Sequence, residues 1–349
     1  MNSSRAAGWM LLALLLVSPA YLPAIAGAQL SSGFDADLTL ELSPAHSSPG
    51  ELVRLTARST LLDLSGTTLA WYENGKKIAG GMGVVEADVV AGALGSEAAV
   101  SVEVSQNGVV LITRDARIRP TELDLLWESD SYAPPFFRGR ALPSAGTTLR
   151  LQAIPRFKRA DASFVPASDI TFTWRRNGYV VASASGRGKS QARLPSPALF
   201  GTDDVSVEAR TPDGAFEGAA SVRIPSVEPV LVLYERHPLF DVMYHRALGA
   251  RNILPEIEMS FAAVPYFAEA LSPVSLVYEW RVNGTPVQAD ASRPNELTLD
   301  ARNSTGIALL ELALTHATNF FLSATGSWSI TLSGGGAGGE GDPFTNIAP

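Results

Sequence analysis

Three copies of one short motif decide the fold of this chain: Trp71-Tyr-Glu-Asn74-Gly75, Trp174-Arg-Arg-Asn177-Gly178 and Trp280-Arg-Val-Asn283-Gly284. The tryptophans lie 103 and 106 positions apart. That spacing matches the length of one small β-sandwich domain, about 100 residues. The repeat therefore predicts three similar β domains in a row, and it does not indicate what they bind.

Strands of alternating polarity flank each tryptophan at a nearly constant distance. The runs that follow it begin 29, 31 and 30 residues later and are Val100-Ser-Val102-Glu-Val104, Val205-Ser-Val207-Glu-Ala209 and Leu310-Glu-Leu312-Ala-Leu314. The runs that precede it are Val53-Arg-Leu55-Thr-Ala57, Leu149-Arg-Leu151-Gln-Ala153 and Ile257-Glu-Met259-Ser-Phe261. A period of two indicates a strand with one buried face. Three aligned features in each copy favour true internal repetition over chance.

The Asn-Gly pairs have a backbone explanation. A two-residue type I′ hairpin needs positive φ at both central residues, and Asn-Gly tolerates this best. We therefore expect each tryptophan on a central strand just before a tight turn. Asn107-Gly108 and Asp213-Gly214 predict another such hairpin after the later alternating strand, whereas His316-Ala-Thr-Asn319 predicts a longer connection. The best helical segment, Leu239 to Ala250, is short and contains Gly249.

The N-terminus and the composition predict an exported protein. Residues 1–28 have the pattern of a secretory signal: Arg5, an apolar run from Trp9 to Val17, and a cleavage site at Ala26-Gly27-Ala28. An uncleaved anchor is the alternative. The formal net charge is −8, which argues against a nucleic-acid partner, and the chain has no cysteine, which fits a bacterial exporter. Residues 334–349 follow as a flexible Gly-rich tail.

The repeats resemble the PKD and bacterial immunoglobulin-like modules of cell-surface proteins. The residues that carry the resemblance are Phe172, Trp174, Asn177, Gly178, Gly201, Asp203, Val205, Val207, Asp213 and Gly214, together with Tyr278, Trp280, Asn283 and Gly284. The chain departs from the family in having Asn-Gly where PKD modules have Gly-Asp-Gly, and in lacking the antibody-type cysteine pair. The resemblance implies a spacer, adhesive or scaffolding role and no shared catalytic residues.

The second and third repeats carry aromatic insertions that the first lacks. Trp127 and Tyr234 lie 47 and 46 residues before their tryptophans, and each insertion ends in Arg-Ala-Leu, at residues 140–142 and 246–248. The candidate partner-binding residues are Trp127, Tyr132, Phe136, Phe137, Tyr234, Phe240 and Tyr244. Two interpretations stay open. The aromatics fill the junctions between domains, since a junction hides apolar area, or they form an exposed patch for a protein partner.

The sequence offers no arrangement of residues typical of catalysis. It lacks a Gly-x-Ser-x-Gly nucleophile elbow. His237, Asp241 and His245 have helical spacing that could suggest a metal site, but Pro238 argues against a helix there. The acidic pairs Asp203-Asp204 and Glu86-Ala-Asp88 fit solvated turns better than Ca²⁺ ligands. We therefore predict no catalytic residues, no bound metal and no cofactor.

The sequence as a whole predicts an all-β protein of three tandem immunoglobulin/PKD-like β-sandwich domains after a signal peptide. The predicted domains are 29–121, 122–227 and 228–333. We expect a non-catalytic protein, secreted or located at the cell envelope or cell surface, that acts as a spacer, scaffold or adhesion module. Its expected partner is a surface or envelope protein, with no nucleic acid and at most a peripheral contact with a membrane. The alternative is a carbohydrate-binding module, which needs exposed coplanar aromatics on one sheet face.

Overall fold

The computed structural model describes residues 38–254, 257–269, 275–302, 304–319 and 321–333. They form three immunoglobulin/fibronectin type III-like β-sandwiches in tandem, each with its own hydrophobic core, which confirms the all-β, multidomain fold class. The predicted signal segment and the Gly-rich tail lie outside the described residues. Within the described ranges, no helix has the length and apolarity needed to cross a membrane.

The first domain is a sandwich of a three-stranded and a four-stranded sheet. Its strands are β1 (Leu38–Ser43), β2 (Leu52–Ser59), β3 (Thr68–Glu73), β4 (Lys76–Met82), β5 (Glu86–Val90), β6 (Ala98–Gln106) and β7 (Val109–Ile118), with a 3-10 turn at Leu64–Gly66. The sheet orders are β1-β2-β5 and β4-β3-β6-β7. The two alternating runs lie on β2 and β6, one in each sheet, so their apolar faces meet in the core.

The second domain repeats this plan. Its strands are β8 (Glu122–Ser129), β9 (Thr148–Arg156), β10 (Thr171–Arg176), β11 (Tyr179–Val180), β12 (Gly186–Arg187), β13 (Gln191–Pro195), β14 (Thr202–Arg210) and β15 (Glu217–Pro225), with a 3-10 turn at Ala167–Asp169. The sheet orders are β13-β9-β8 and β11-β10-β14-β15, and β12 also pairs with β10. Residues 130–147, which hold the first aromatic insertion, form an irregular loop between β8 and β9.

The third domain adds strands to both sheets. Its strands are β16 (Val230–His237), β17 (Asp241–Leu248), β18 (Arg251–Leu254), β19 (Glu258–Tyr266), β20 (Leu276–Val282), β21 (Thr285–Val287), β22 (Glu296–Asp300), β23 (Thr305–His316) and β24 (Ser323–Ser333). The sheet orders are β17-β16-β19-β22 and β18-β24-β23-β20-β21. The second aromatic insertion forms the hairpin β16–β17, and β18 pairs in parallel with β24.

The three motif tryptophans occupy equivalent core positions. Trp71, Trp174 and Trp280 are almost fully buried, and each lies opposite the middle residue of its later alternating run, at Val102, Val207 and Leu312. Each indole N–H donates to a backbone carbonyl across the core at 2.9 Å, on Val84, Lys189 and Pro294 respectively. A buried indole N–H needs such a partner. The motif is therefore a folding element with the same bonds in every copy.

The asparagine of each motif has a second role beside its backbone angle. Asn74, Asn177 and Asn283 have φ of 49°, 52° and 52°, and the following glycines are also positive, as the type I′ turn requires. Each asparagine Oδ1 also accepts a backbone N–H from the neighbouring sheet segment, on Ala99, Asp204 and Leu309. The side chain thus fastens the turn to the adjacent strand, which a glycine at this position could not do.

Two local predictions from the sequence are wrong, and one weak candidate element is absent. Asp213-Gly214 does not form a two-residue hairpin, because β14 and β15 are joined by a six-residue loop in which Asp213 accepts from Thr211 and Ala215. The weak helical candidate from Leu239 to Ala250 forms no helix, because most of its residues pair along β16 as strand β17. The run beginning at Ile257 does not alternate cleanly, because Ile257 is exposed and every residue from Phe261 to Val264 is buried.

Candidate functional site

The insertion loop of the second domain, residues 130–147, is attached to the third domain by backbone bonds. The N–H of Tyr132 donates to the carbonyl of Ala268 at 2.7 Å, and the N–H of Phe267 donates to the carbonyl of Tyr132 at 2.7 Å. Ser131 and Glu269 form the corresponding antiparallel bridge. The loop of the second domain therefore pairs for a short distance with the segment directly after β19, as an added strand would.

Side-chain bonds strengthen this junction at a second point. The hydroxyl of fully buried Ser144 donates to the carbonyl of Phe267 at 2.5 Å. The side-chain amide of Asn319 donates to the carbonyl of Ala145 at 2.8 Å. These two bonds join the far end of the insertion loop to the residue that follows β19 and to the β23–β24 connection. Both ends of the loop are therefore held by the third domain.

A buried histidine shapes the connection that carries Asn319. The Nδ1 atom of His316 accepts the backbone N–H groups of Asn319 at 2.9 Å and Thr318 at 3.2 Å. Its Nε2 atom lies 3.2 Å from a carboxylate oxygen of Glu269. Since Nδ1 accepts, the ring proton of the neutral histidine belongs on Nε2, where it faces Glu269. The histidine thus links the loop that holds Asn319 to the residue that bridges with Ser131.

A cluster of tyrosines occupies the same junction. The hydroxyls of Tyr234 and Tyr266 are hydrogen-bonded, and the Tyr234 and Tyr244 rings are 5.5 Å apart. Tyr132, Tyr244 and Tyr278 line a shared pocket of about 240 Å³. Burial is the main cause that raises the pKa of Tyr132 and Tyr234, and it raises the pKa of Tyr278 to about 12. The cluster is therefore built to hold neutral phenols.

The seven candidate residues divide into two groups. Tyr132, Phe137, Tyr234 and Tyr244 meet at the junction, where the Phe137 ring makes edge contacts with Tyr266 at 5.6 Å and with Phe267 at 5.9 Å. Trp127, Phe136 and Phe240 lie outside this cluster. The first group fits the interpretation that the aromatics fill a domain junction. In the second group, only Phe136 and Phe240 are exposed, as the interpretation of an exposed patch requires.

The residues that do not join the cluster have separate surroundings. Phe136, next to Phe137, is 91% exposed with a φ of 67°. Phe240 is 70% exposed at the tip of the β16–β17 hairpin, stacked on His237 at 4.8 Å. Trp127 is partly buried at the edge of the second core, with the Arg140 guanidinium 4.4 Å above its ring.

The junction also contains residues that were not among the partner-binding candidates predicted from the sequence. Tyr266, Phe267, Tyr278, His316 and Asn319 all take part in it. Tyr266-Phe267 is an aromatic pair at the C-terminal end of β19, a signal that could have been noticed. Nothing in the sequence around Asn319 indicates that its amide reaches another domain.

The junction between the first and second domains uses polar contacts. Thr121 donates its N–H to Ser47 at 2.9 Å and its hydroxyl to Glu217 at 2.7 Å. Arg119 pairs with Glu97 at 2.7 Å and donates to the carbonyl of Ala215 at 3.1 Å. Its guanidinium lies 6.0 Å from the Phe216 ring. The linker itself therefore supplies most of this junction.

The acidic pairs considered for Ca²⁺ bind arginines. Asp203 pairs with Arg176 and accepts the Asn177 amide at 2.8 Å, and Asp88 accepts from Arg54 at 2.9 Å. In the part of the chain that the structure describes, no three His, Cys, Asp or Glu side chains converge as a metal site requires. These carboxylates therefore stabilise turns and sheet faces through ion pairs.

No family model and no curated protein matches this chain. Solved structures that it resembles include the fibronectin(III)-like modules of Clostridium thermocellum CbhA, with 12% identity, 54% of this chain and 95% of that chain covered, and a TM-score of 0.25. The three N-terminal domains of the bacteriophage RB49 outer capsid protein Hoc match with 11% identity, 85% and 98% coverage, and a TM-score of 0.25.

A third match is the Bacteroides ovatus protein SGBP-B, in complex with a mixed-linkage heptasaccharide. It has 15% identity, covers 83% of this chain and 65% of that chain, and has a TM-score of 0.24. Saccharide binding is a property of that protein.

Proposed function

We propose that this chain is an exported, non-catalytic spacer of the cell surface or envelope in which the second and third domains act as one stiff unit. The observation that carries the proposal is the loop 130–147, which leaves one domain, pairs with residues 267–269 directly after β19 of the next and returns. A spacer needs resistance to bending at its junctions. Flexible linkers between domains would instead allow independent motion.

The contacts at this junction are numerous and of several kinds. They combine backbone pairing at Tyr132, buried side-chain bonds at Ser144 and Asn319, and aromatic packing at Phe137. Holding the loop in one conformation costs conformational entropy. A segment that only connected β8 to β9 would not need to be ordered in this way. We therefore infer a mechanical role for the insertion, which fits a scaffold better than a chain of independently moving domains.

Single-molecule energy transfer tests the stiffness directly, since a chain without cysteine accepts two labels at engineered sites. The 2–3 label pair is Tyr179→Cys with Thr285→Cys, and the 1–2 label pair is Lys76→Cys with Tyr179→Cys. All three positions are exposed and directly follow an Asn-Gly turn. We expect one narrow distance distribution for the 2–3 pair. A broad or multiple distribution for that pair would contradict the proposal.

Export and partner binding belong to the same proposal. N-terminal sequencing of protein recovered from the source cells is expected to begin at Gln29.

With Phe137 and three tyrosines engaged in the junction, the exposed rings of Phe136 and Phe240 are the remaining candidates for contact with a surface protein. Alanine at both positions should leave unfolding unchanged and reduce recovery of envelope proteins in a pull-down. Equal recovery would remove these two residues from the proposal.

The alternative, a carbohydrate-binding module of the platform type, has less support. Among the described residues, the exposed aromatic side chains are Phe136, Phe137, Phe164, Tyr179, Phe200, Phe240 and Phe321. Only Tyr179 lies within a strand, and the others belong to loops, turns or an isolated bridge. A flat sugar-stacking face needs neighbouring rings on one sheet, and these positions do not provide it.

A further inference from the structure

The solvent-exposed side of the β13-β9-β8 sheet in the second domain carries an open pocket of about 490 Å³. Its lining includes Arg140, Arg150 and Arg193, the amides of Gln152 and Gln191, and Trp127. Glu128 is the only acid among the lining residues. A pocket of this volume is within the range of small-molecule sites, and its excess of positive charge stands out in a chain with a net charge of −8.

Two of these arginines face each other across neighbouring strands. Arg150 on β9 is directly opposite Arg193 on β13. Like charges at such positions destabilise a sheet, because the two Cβ atoms are only about 5 Å apart. The pair therefore has an energetic cost that the fold of the second domain does not require.

In the first domain, the equivalent pair of positions holds residues of opposite charge. There Arg54 on β2 lies opposite Asp88 on β5, and the two form an ion pair at 2.9 Å. Glu86 lies two residues before Asp88 on the same face of β5 and is 3.9 Å from the same arginine. In the second domain Arg193 replaces Asp88 and Gln191 replaces Glu86 in the register. Two acids have thus been exchanged for one base and one amide.

The charges in the pocket are only partly balanced by the protein. Arg150 has Glu128 at 3.5 Å, with both side chains more than half exposed, so this pair contributes little. Among the described residues, the side chain of Arg193 has no ion-pair or hydrogen-bond partner, and the Arg140 guanidinium contacts the face of Trp127. The third domain also has a like-charge pair, Glu258 opposite Asp300, but Arg302 binds that aspartate. The second domain has no equivalent counter-ion for Arg193.

We propose that this pocket binds an oxyanion, a carboxylate or a phosphate, carried on a polar body the size of a sugar. Arginine forks bind such anions through paired N–H donors, and an anion between Arg150 and Arg193 would relieve their repulsion. Gln152 and Gln191 supply amide donors and acceptors for neighbouring hydroxyls. Arg140, whose guanidinium lies over the Trp127 ring, supplies a further cation. The site belongs to the second domain alone and does not depend on the spacer role.

Tryptophan fluorescence of the intact mature protein provides the measurement. Trp127 is partly buried beside the pocket, in contact with Arg140, whereas Trp71, Trp174, Trp280 and Trp328 are buried in the cores. The probes are glucuronate, glucose 6-phosphate and, as the neutral control, glucose. We expect saturable binding of at least one anion, weakened by added salt, and none of glucose. The anion that binds tighter identifies whether the natural source is an acidic glycan or a sugar phosphate.

The variant Arg193→Asp separates loss of the site from loss of the fold. It restores the arginine–aspartate arrangement of the first domain, so the midpoint of thermal unfolding should stay equal or rise. Anion affinity should fall at least about tenfold, as expected when a charge-assisted bond is lost. The reciprocal Asp88→Arg should destabilise the first domain without adding an anion site. Equal binding by Arg193→Asp, equal binding of glucose, or no binding of either anion would overturn the proposal.

Discussion

The two domain junctions differ in what builds them, although the domains on either side come from one repeat. Between the first and second domains, Arg119 and Thr121 of the linker make short polar contacts with both neighbours. Between the second and third, the loop 130–147 adds backbone pairing and aromatic packing. A linker can orient domains through a few hydrogen bonds, whereas an insertion can also bury apolar area. The difference predicts a stiffer second junction.

Alkaline pH should have the largest effect on this difference. An unfolded tyrosine ionises near 10.0, whereas Tyr278 keeps its proton until its folded pKa of about 12, and burial also raises the pKa of Tyr132 and Tyr234. Between these values the unfolded chain has lost protons that the folded chain retains. Stability from the cluster is therefore complete below pH 10.0 and is lost as the pH rises toward 12.

The measurement combines tyrosinate absorbance with both label pairs across this pH range. We expect the 2–3 pair to separate as the buried tyrosines ionise, while the 1–2 pair changes later or not at all. Simultaneous changes in both pairs would mean that the tyrosine cluster does not determine the difference between the junctions.

Tyr132→Ala should have the next largest effect. The substitution keeps the backbone bonds to Ala268 and Phe267 but removes a ring packed among tyrosines of the third domain. Loss of that burial should lower the free energy of unfolding by about 2 kcal/mol and broaden the 2–3 distance distribution. Phe136→Ala is the matched control in the same loop, where an exposed ring should contribute within about 0.5 kcal/mol. Equal effects of the two variants would contradict the packing described for Tyr132.

Loss of one polar side chain at each junction should have the smallest effects. Arg119→Ala removes the bond to Ala215 together with the partly exposed ion pair to Glu97, and Asn319→Ala removes the bond to Ala145. Each loss should cost about 1 kcal/mol. Arg119→Ala should broaden only the 1–2 distribution, and Asn319→Ala only the 2–3 distribution. A variant that broadens both would show that the junctions are coupled through the second domain.

The sequence was sufficient for the repeated parts of the fold. The tryptophan motif and its flanking runs predicted three sandwiches, because period-two alternation and Asn-Gly turns are local signals with direct physical causes. The clamp formed by Asn74, Asn177 and Asn283 was not predicted, since it joins positions 25, 27 and 26 residues apart. The immunoglobulin-like architecture is confirmed, and the PKD-like assignment stays a prediction.

The sequence was less informative about the insertions. Both contain aromatics and an Arg-Ala-Leu end, yet residues 130–147 form a loop and residues 241–248 form an edge strand. What separates them is the neighbouring element available for pairing, which is a property of the assembled fold. For the same reason Phe136 and Phe137, adjacent in sequence, differ in surroundings: Phe136 is 91% exposed, whereas Phe137 is 37% exposed and contacts two rings of the third domain. The arginine pair at Arg150 and Arg193 also needed the strand register to be recognised.

The parallel pairing of β18 with β24 has a consequence for tension along the chain. β18 is the third strand of the third domain and β24 is its last, with Arg251 opposite Ser329 and Leu254 opposite Leu332. Tension from the N-terminal side reaches β18 only after β16 and β17 have detached. It would then pull on the start of β18 and on the end of β24, slide the two strands past each other and load all the bonds of the ladder together. An antiparallel hairpin pulled at its open end would instead separate one bond at a time. The β18–β24 pair is therefore arranged to resist stretching by shear once the first two strands of the domain are lost.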